Sequence, residues 1–149
     1  GAEREGINFD VLRKNIPADA PWGQNKARNV LEMAAATLSA RLERAPEEAG
    51  RHWERAVSLQ DGFIYDEPPA WYYPVRESQG AALLRAGKAS AAEMVFREGV
   101  RRSPRNGRML FGLMESLRAQ GKQQDAESVQ REFEASWVKA DVQLRLEDF

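Results

Sequence analysis

The feature that most constrains this chain is an internal repeat of 34 residues. Gly87-Lys88 reappears as Gly121-Lys122, Leu83 as Leu117, Ala92 as Ala126, Val95 as Val129 and Arg97-Glu98 as Arg131-Glu132. Self-similarity at this period specifies stacked helical hairpins, because one hairpin cannot bury its apolar flank alone and the next copy covers it. The 149 residues suffice for a domain with a real core. With 42% hydrophobic and 30% charged residues, the composition is that of a folded, helix-rich chain rather than a disordered one. The expected fold class is all-α, an α-solenoid.

Along the chain, residues 1–24 are the least regular. Ile7, Phe9, Val11 and Leu12 form a short apolar cluster, and the run from Asn15 to Pro21, with two prolines, breaks regular structure. This stretch reads as an irregular lead-in, extended or loosely helical, docked onto the first hairpin. Gly1 to Gly6 has no apolar signal core and reads as an expression scar before the cut end of a longer protein.

From 25 to 44 the pattern becomes helical: Val30, Leu31, Ala34, Leu38 and Leu42 recur at spacings of three and four, with Asn25 as N-cap. Pro46 opens a second helix, with Glu47 and Glu48 in the first turn and Asp61-Gly62 at its end. Residues 62–70 are irregular, since Pro68 and Pro69 cannot continue a helix. A helix over about 69–86 follows, with Pro74 either in its first turn or at a bend. Further helices are expected over 90–102, 108–120 and 122–138, separated by Gly87, the Ser103-to-Gly107 break and Gly121. The tail, 139–149, alternates loosely at Val142, Leu144 and Leu146 and reads as an extended strip along the last helix.

Helix, Gly turn, helix and Pro break at this period resemble the tetratricopeptide repeat. In the middle repeat, 73–106, Gly80, Ala92, Phe96 and Pro104 match the family pattern, Leu83 stands for its Tyr and Gly99 for its second Ala, while Arg76 and Gln79 depart from it. In the third, 107–140, Leu110, Leu113, Leu117, Gly121 and Ala126 fit, and Gln130, Phe133 and Val138 do not. In the first, Ala49, Trp53 and Ala56 fit the second-helix spacing, but about nine extra residues separate it from the middle repeat. The resemblance implies three hairpins in a right-handed superhelix, 25–61, 69–104 and 107–138, with an aromatic insertion at 62–73. It is that of bacterial-type C-terminal repeats of a longer solenoid.

The resemblance also implies a non-catalytic scaffold that binds a protein or peptide in the groove of the hairpin first helices. The groove positions it assigns are Glu77, Ala81, Leu84 and Arg85 in the middle repeat and Arg108, Phe111, Glu115 and Arg118 in the third. The family's clamp for chaperone C-terminal carboxylates has Lys and Asn where this chain has Glu77 and Ala81, so such tails are expected not to bind. An uncapped first hairpin would offer its 25–44 face for self-association. The alternative is a regulatory or substrate-binding module of a larger enzyme or assembly.

Other chemistry finds little footing. Gly121-Lys122 lacks the Gly and the Ser or Thr of a phosphate loop, having Ser116 and Gln123 in those places. His52 is the only histidine and there is no cysteine, so neither a metal nor a cofactor site is expected. No nucleophile-elbow motif occurs. The net charge of −1 offers no basic excess for nucleic acid, and no apolar run has the roughly 20 residues of a membrane helix. The compartment is left open. The most unusual stretch is 63–76, rich in aromatics. Tyr65, Trp71, Tyr72 and Arg76 read either as a grip for a partner or as filling between hairpins, with Arg76 paired to Asp66 or Glu67.

Overall fold

Helix-forming runs punctuated by Gly and Pro yield an all-α chain. Its elements, in order, are α1 (Ala2–Lys14), β1 (Pro21–Trp22), β2 (Asn25–Lys26), α2 (Ala27–Leu42), α3 (Pro46–Asp61), α4 (Arg76–Arg85), α5 (Ala89–Arg102), α6 (Gly107–Ala119) and α7 (Gln123–Trp137), followed by a 3₁₀ turn at Leu146–Asp148. This computed structural model describes residues 1–149, the side chains of Ala2 and Glu3 apart. Among the described residues no helix is long and apolar enough to cross a membrane. Two units, Gly1–Val75 and Arg76–Phe149, each have their own packing.

The 34-residue repeat is built into the backbone of the second unit. Gly87 and Gly121 stand at φ +73° and +70°, a conformation glycine adopts without steric cost. The Lys88 N–H donates to Leu83 O at 2.9 Å, and 34 residues on the Lys122 N–H donates to Leu117 O at 3.0 Å. These bonds close the two first helices, α4 and α6, by satisfying carbonyls left open at the helix end. Successive helices α4 to α7 pack on one another, and α4 also touches α6. Asn106 caps α6 by accepting from the Met109 N–H at 3.1 Å.

Phe96, fully buried on α5, fills the space between the two first helices. Gly80 of α4 and Gly112 of α6 both face its ring, and a Cβ at either position would overlap it. Ala92 and Ala126, small where helices cross closely, are buried, and with Phe96, Met109, Leu113 and Leu117 they make one core. Burying a Phe side chain fully is worth about 2–3 kcal/mol.

In the first unit α2 and α3 form a hairpin, with Trp53 buried and the Arg41 guanidinium over its ring. The lead-in, expected to be irregular, extended or loosely helical, and docked on the first hairpin, is a regular helix over α1 that packs on α2. Its inward face is set by Gly6, against Leu38 and Leu42, and by Arg13, bonded to Glu32 at 2.6 Å. The apolar Ile7, Val11 and Leu12 point outward instead, so hydrophobic spacing gave no sign of it. Because α1 lies on α2, the face expected to be open for self-association is partly covered.

Asn25 does not cap α2. Its buried amide accepts from the Ile64 N–H and donates to Ile64 O, both at 2.9 Å, as a strand neighbour would. Gln60 treats the far end of the same segment alike, donating to Tyr73 O at 2.9 Å and accepting from the Val75 N–H at 2.8 Å. Two side-chain amides thus tie down a proline-rich stretch whose backbone has no helix or sheet to pair with. The helix expected from 69 begins only at Arg76, because Pro74 lacks an N–H and pushes Tyr73 out of the helical region.

Candidate functional site

On α6, Arg108, Phe111, Glu115 and Arg118 follow at spacings of three, four and three, which places them in one stripe. On α4 the corresponding stripe turns inward. Glu77 and Ala81 are buried and Leu84 packs against the core, because α4 is covered by both α5 and α6. Glu77 and Ala81 are therefore corrected from groove surface to interior and Leu84 to a half-buried flank of the core, while Arg85, one position on, stays exposed.

Buried Glu77 fixes the stripe from beneath. Its carboxylate accepts from Arg108 Nε at 2.6 Å and from Asn106 Nδ2 at 3.4 Å. Arg108 is held in place with its remaining nitrogens turned outward, a charge-assisted arrangement with little freedom. Further along, Arg118 donates to Glu115 at 2.7 Å and to Gln130 of α7 at 2.8 Å. Phe111 meets Phe133 at 5.7 Å between ring centres, and Phe133 stacks on Trp137 at 5.8 Å. The result is an aromatic row flanked by oriented arginines.

That face is occupied by the chain's own tail. The strip expected along α7 leaves it after the Trp137 indole N–H bonds Val142 O at 2.8 Å, and returns across α6 to α4. Arg85 donates to Leu146 O at 3.0 Å and Arg108 to Asp148 O at 2.6 Å. The Phe149 ring stacks on Phe111 at 5.9 Å and 22°, with the Arg108 guanidinium 4.2 Å from its centre. Within the tail, Asp148 accepts from the Arg145 N–H at 2.9 Å and pairs with its guanidinium at 3.3 Å, which closes the 3₁₀ turn. The Arg145 guanidinium thereby holds the Asp148 carboxyl below its ordinary range. Phe149 escaped the sequence reading; the only hint was an aromatic ending a strip of alternating leucines.

The aromatic stretch falls in two places. In the first unit Tyr65 and Tyr72 are exposed, and Trp71 is half-buried against Tyr72 and Tyr73, its Nε1 enclosed without a hydrogen-bond partner. The Tyr65 hydroxyl donates to Glu67 at 2.6 Å, which raises its pKa, and Asp66 accepts from the Gln24 N–H at 2.8 Å. Arg76 opens α4 in the second unit. Between α6 and α7 a cavity of about 520 Å³ is lined by Arg105, Leu110, Glu132, Ala135 and Ser136. The Ser136 hydroxyl there is bonded to Phe133 O at 2.8 Å. Among the described residues no three His, Cys, Asp or Glu side chains gather to hold a metal. No protein-family model, curated protein or solved structure matches the chain.

Proposed function

We propose that the chain is a non-catalytic interaction scaffold of the tetratricopeptide kind, which receives an extended peptide segment of a partner protein on the α4–α6 face. One observation carries this reading. Arg85 and Arg108, from successive hairpins, both donate to main-chain carbonyls of a single non-helical segment. Every peptide has such carbonyls, so donors spaced this way suit a polypeptide, while an aromatic shelf at Phe111 adds selection by side chain. The near-neutral net charge agrees with a protein rather than a nucleic-acid partner.

Selection of a random displayed-peptide library on the immobilised chain carrying Phe149→Ala, which removes the ring that fills the face, tests the reading. Enriched peptides are expected to lose binding when Arg85→Glu and Arg118→Glu are introduced together, two exposed positions that leave the core intact. Failure to enrich any peptide, or enriched peptides indifferent to both changes, contradicts it.

A further inference from the structure

We infer that the α4–α6 face selects a short turn-forming segment in which an acidic residue is followed by an aromatic one, and that residues 145–149 hold this place in cis until such a segment of a partner displaces them. The inference rests on the scaffold reading above and adds the chemistry of the ligand.

The tail shows what the face accepts. Its backbone supplies two carbonyls, Leu146 O and Asp148 O, to Arg85 and Arg108. Its ring fills the site between Phe111 and the Arg108 guanidinium, at 5.9 and 4.2 Å. The acid at 148 plays another part. It folds the turn through Arg145, so that both carbonyls and the ring face the same way. Recognition thus needs the acid to shape the segment and the aromatic ring to anchor it, whereas the side chain of Glu147 is exposed and makes no demand.

The receiving side is set before anything binds. Arg108 is pinned by buried Glu77, and Phe111 is backed by Phe133 and Trp137. The tail itself is lightly held. Leu144 is its buried side chain, and beyond it 145–149 are exposed or half-buried, with the Arg145 side chain largely in water and that of Asp148 partly so. Segments with so little buried contact open at the low end of the stability range. The hinge therefore falls after Leu144, and lifting 145–149 bares Phe111 and Arg108 without breaking the core.

A tethered segment competes at an effective concentration on the order of millimolar, so the intact chain should bind a free segment poorly. The test titrates a fluorescein-labelled peptide of the sequence of residues 141–149 into the full chain and into its Phe149→Ala variant, followed by fluorescence anisotropy. The variant is expected to bind at least about 10-fold more tightly than the unaltered chain, whose site is already filled. A second peptide, with its final Phe replaced by Ala, is expected to lose binding to the variant; both peptides meet the same protein, so the difference between them reads the peptide's ring alone. Equal affinity of the two chains, or of the two peptides, overturns the inference. Library peptides that lodge on the α4–α6 face without an acid–aromatic pair also overturn it while leaving the scaffold reading intact. A face that takes neither library peptides nor the tail peptide removes both.

Discussion

At the scale of the residue, two carboxylates do different work. Glu77 is 3% exposed and bonded to Arg108, which is about one-third exposed. Replacing it with Gln leaves a partly solvated guanidinium without its counter-charge, so the loss should fall short of that for a fully buried pair, about 1–3 kcal/mol in urea denaturation. The same change should loosen the tail, because Arg108 loses its anchor. Glu93 is buried beside Lys122 at 2.6 Å, Arg97 at 2.8 Å and Gln120 at 2.8 Å. The Lys122 ammonium foremost, with Arg97 and Gln120, holds its carboxyl down to about 2. A depressed folded pKa stabilises the fold above the unfolded value, near 4.3, and that stabilisation is lost as pH falls toward about 2. Unfolding midpoints should be flat from about pH 5 to 7 and fall below about pH 4.5, and Glu93→Gln should flatten part of that fall. Glu98 is also held at about 2, by Arg101 and then Arg102, but these are surface pairs screened by solvent and should add little to that fall.

At the scale of the element, glycine marks where helices meet. Helix propensity alone favours Ala over Gly by about 1 kcal/mol in a helix interior. Gly50 of α3 has open space around a Cβ, so Gly50→Ala should stabilise by about 0.5–1 kcal/mol. Gly80→Ala would force its methyl into the Phe96 ring, and overpacking of about 1–3 kcal/mol should outweigh the propensity gain. Opposite signs in denaturant midpoints check the pair. These contrasts also show what was legible in the sequence. The paired Gly87 and Gly121 fixed two turns correctly because a left-handed turn demands a particular residue, and Ala92 and Phe96 were readable because close crossing demands a small residue and a filler. By contrast, the regularity of α1 was not readable, since it docks through a glycine and an arginine while Ile7, Val11 and Leu12 face water. Nor was the role of Asn25 and Gln60, whose amides pair with backbone 39 and 13 residues away, a separation that local patterning does not register. The α4 stripe was misplaced because its burial depends on α6 as well as α5.

At the scale of the whole molecule, each unit has a core of its own, and the candidate face lies wholly in the second. It draws on three stretches of that unit: Arg85 at the end of α4, Arg108 and Phe111 on α6, and the tail. The α6 residues were legible from the repeat, but their occupant was not, because nothing local in the sequence of 145–149 says which helix it returns to. The tail is seated on this face through the stacked rings of Phe149 and Phe111. A double-mutant cycle on unfolding free energy, with Phe111→Ala, Phe149→Ala and the two combined, measures that seat directly. Stacked aromatic pairs couple by about 0.5–1.5 kcal/mol, and a coupling in that range is the result expected here. Strict additivity, with coupling below about 0.3 kcal/mol, would mean that the two rings do not meet in solution and that the tail does not occupy the face.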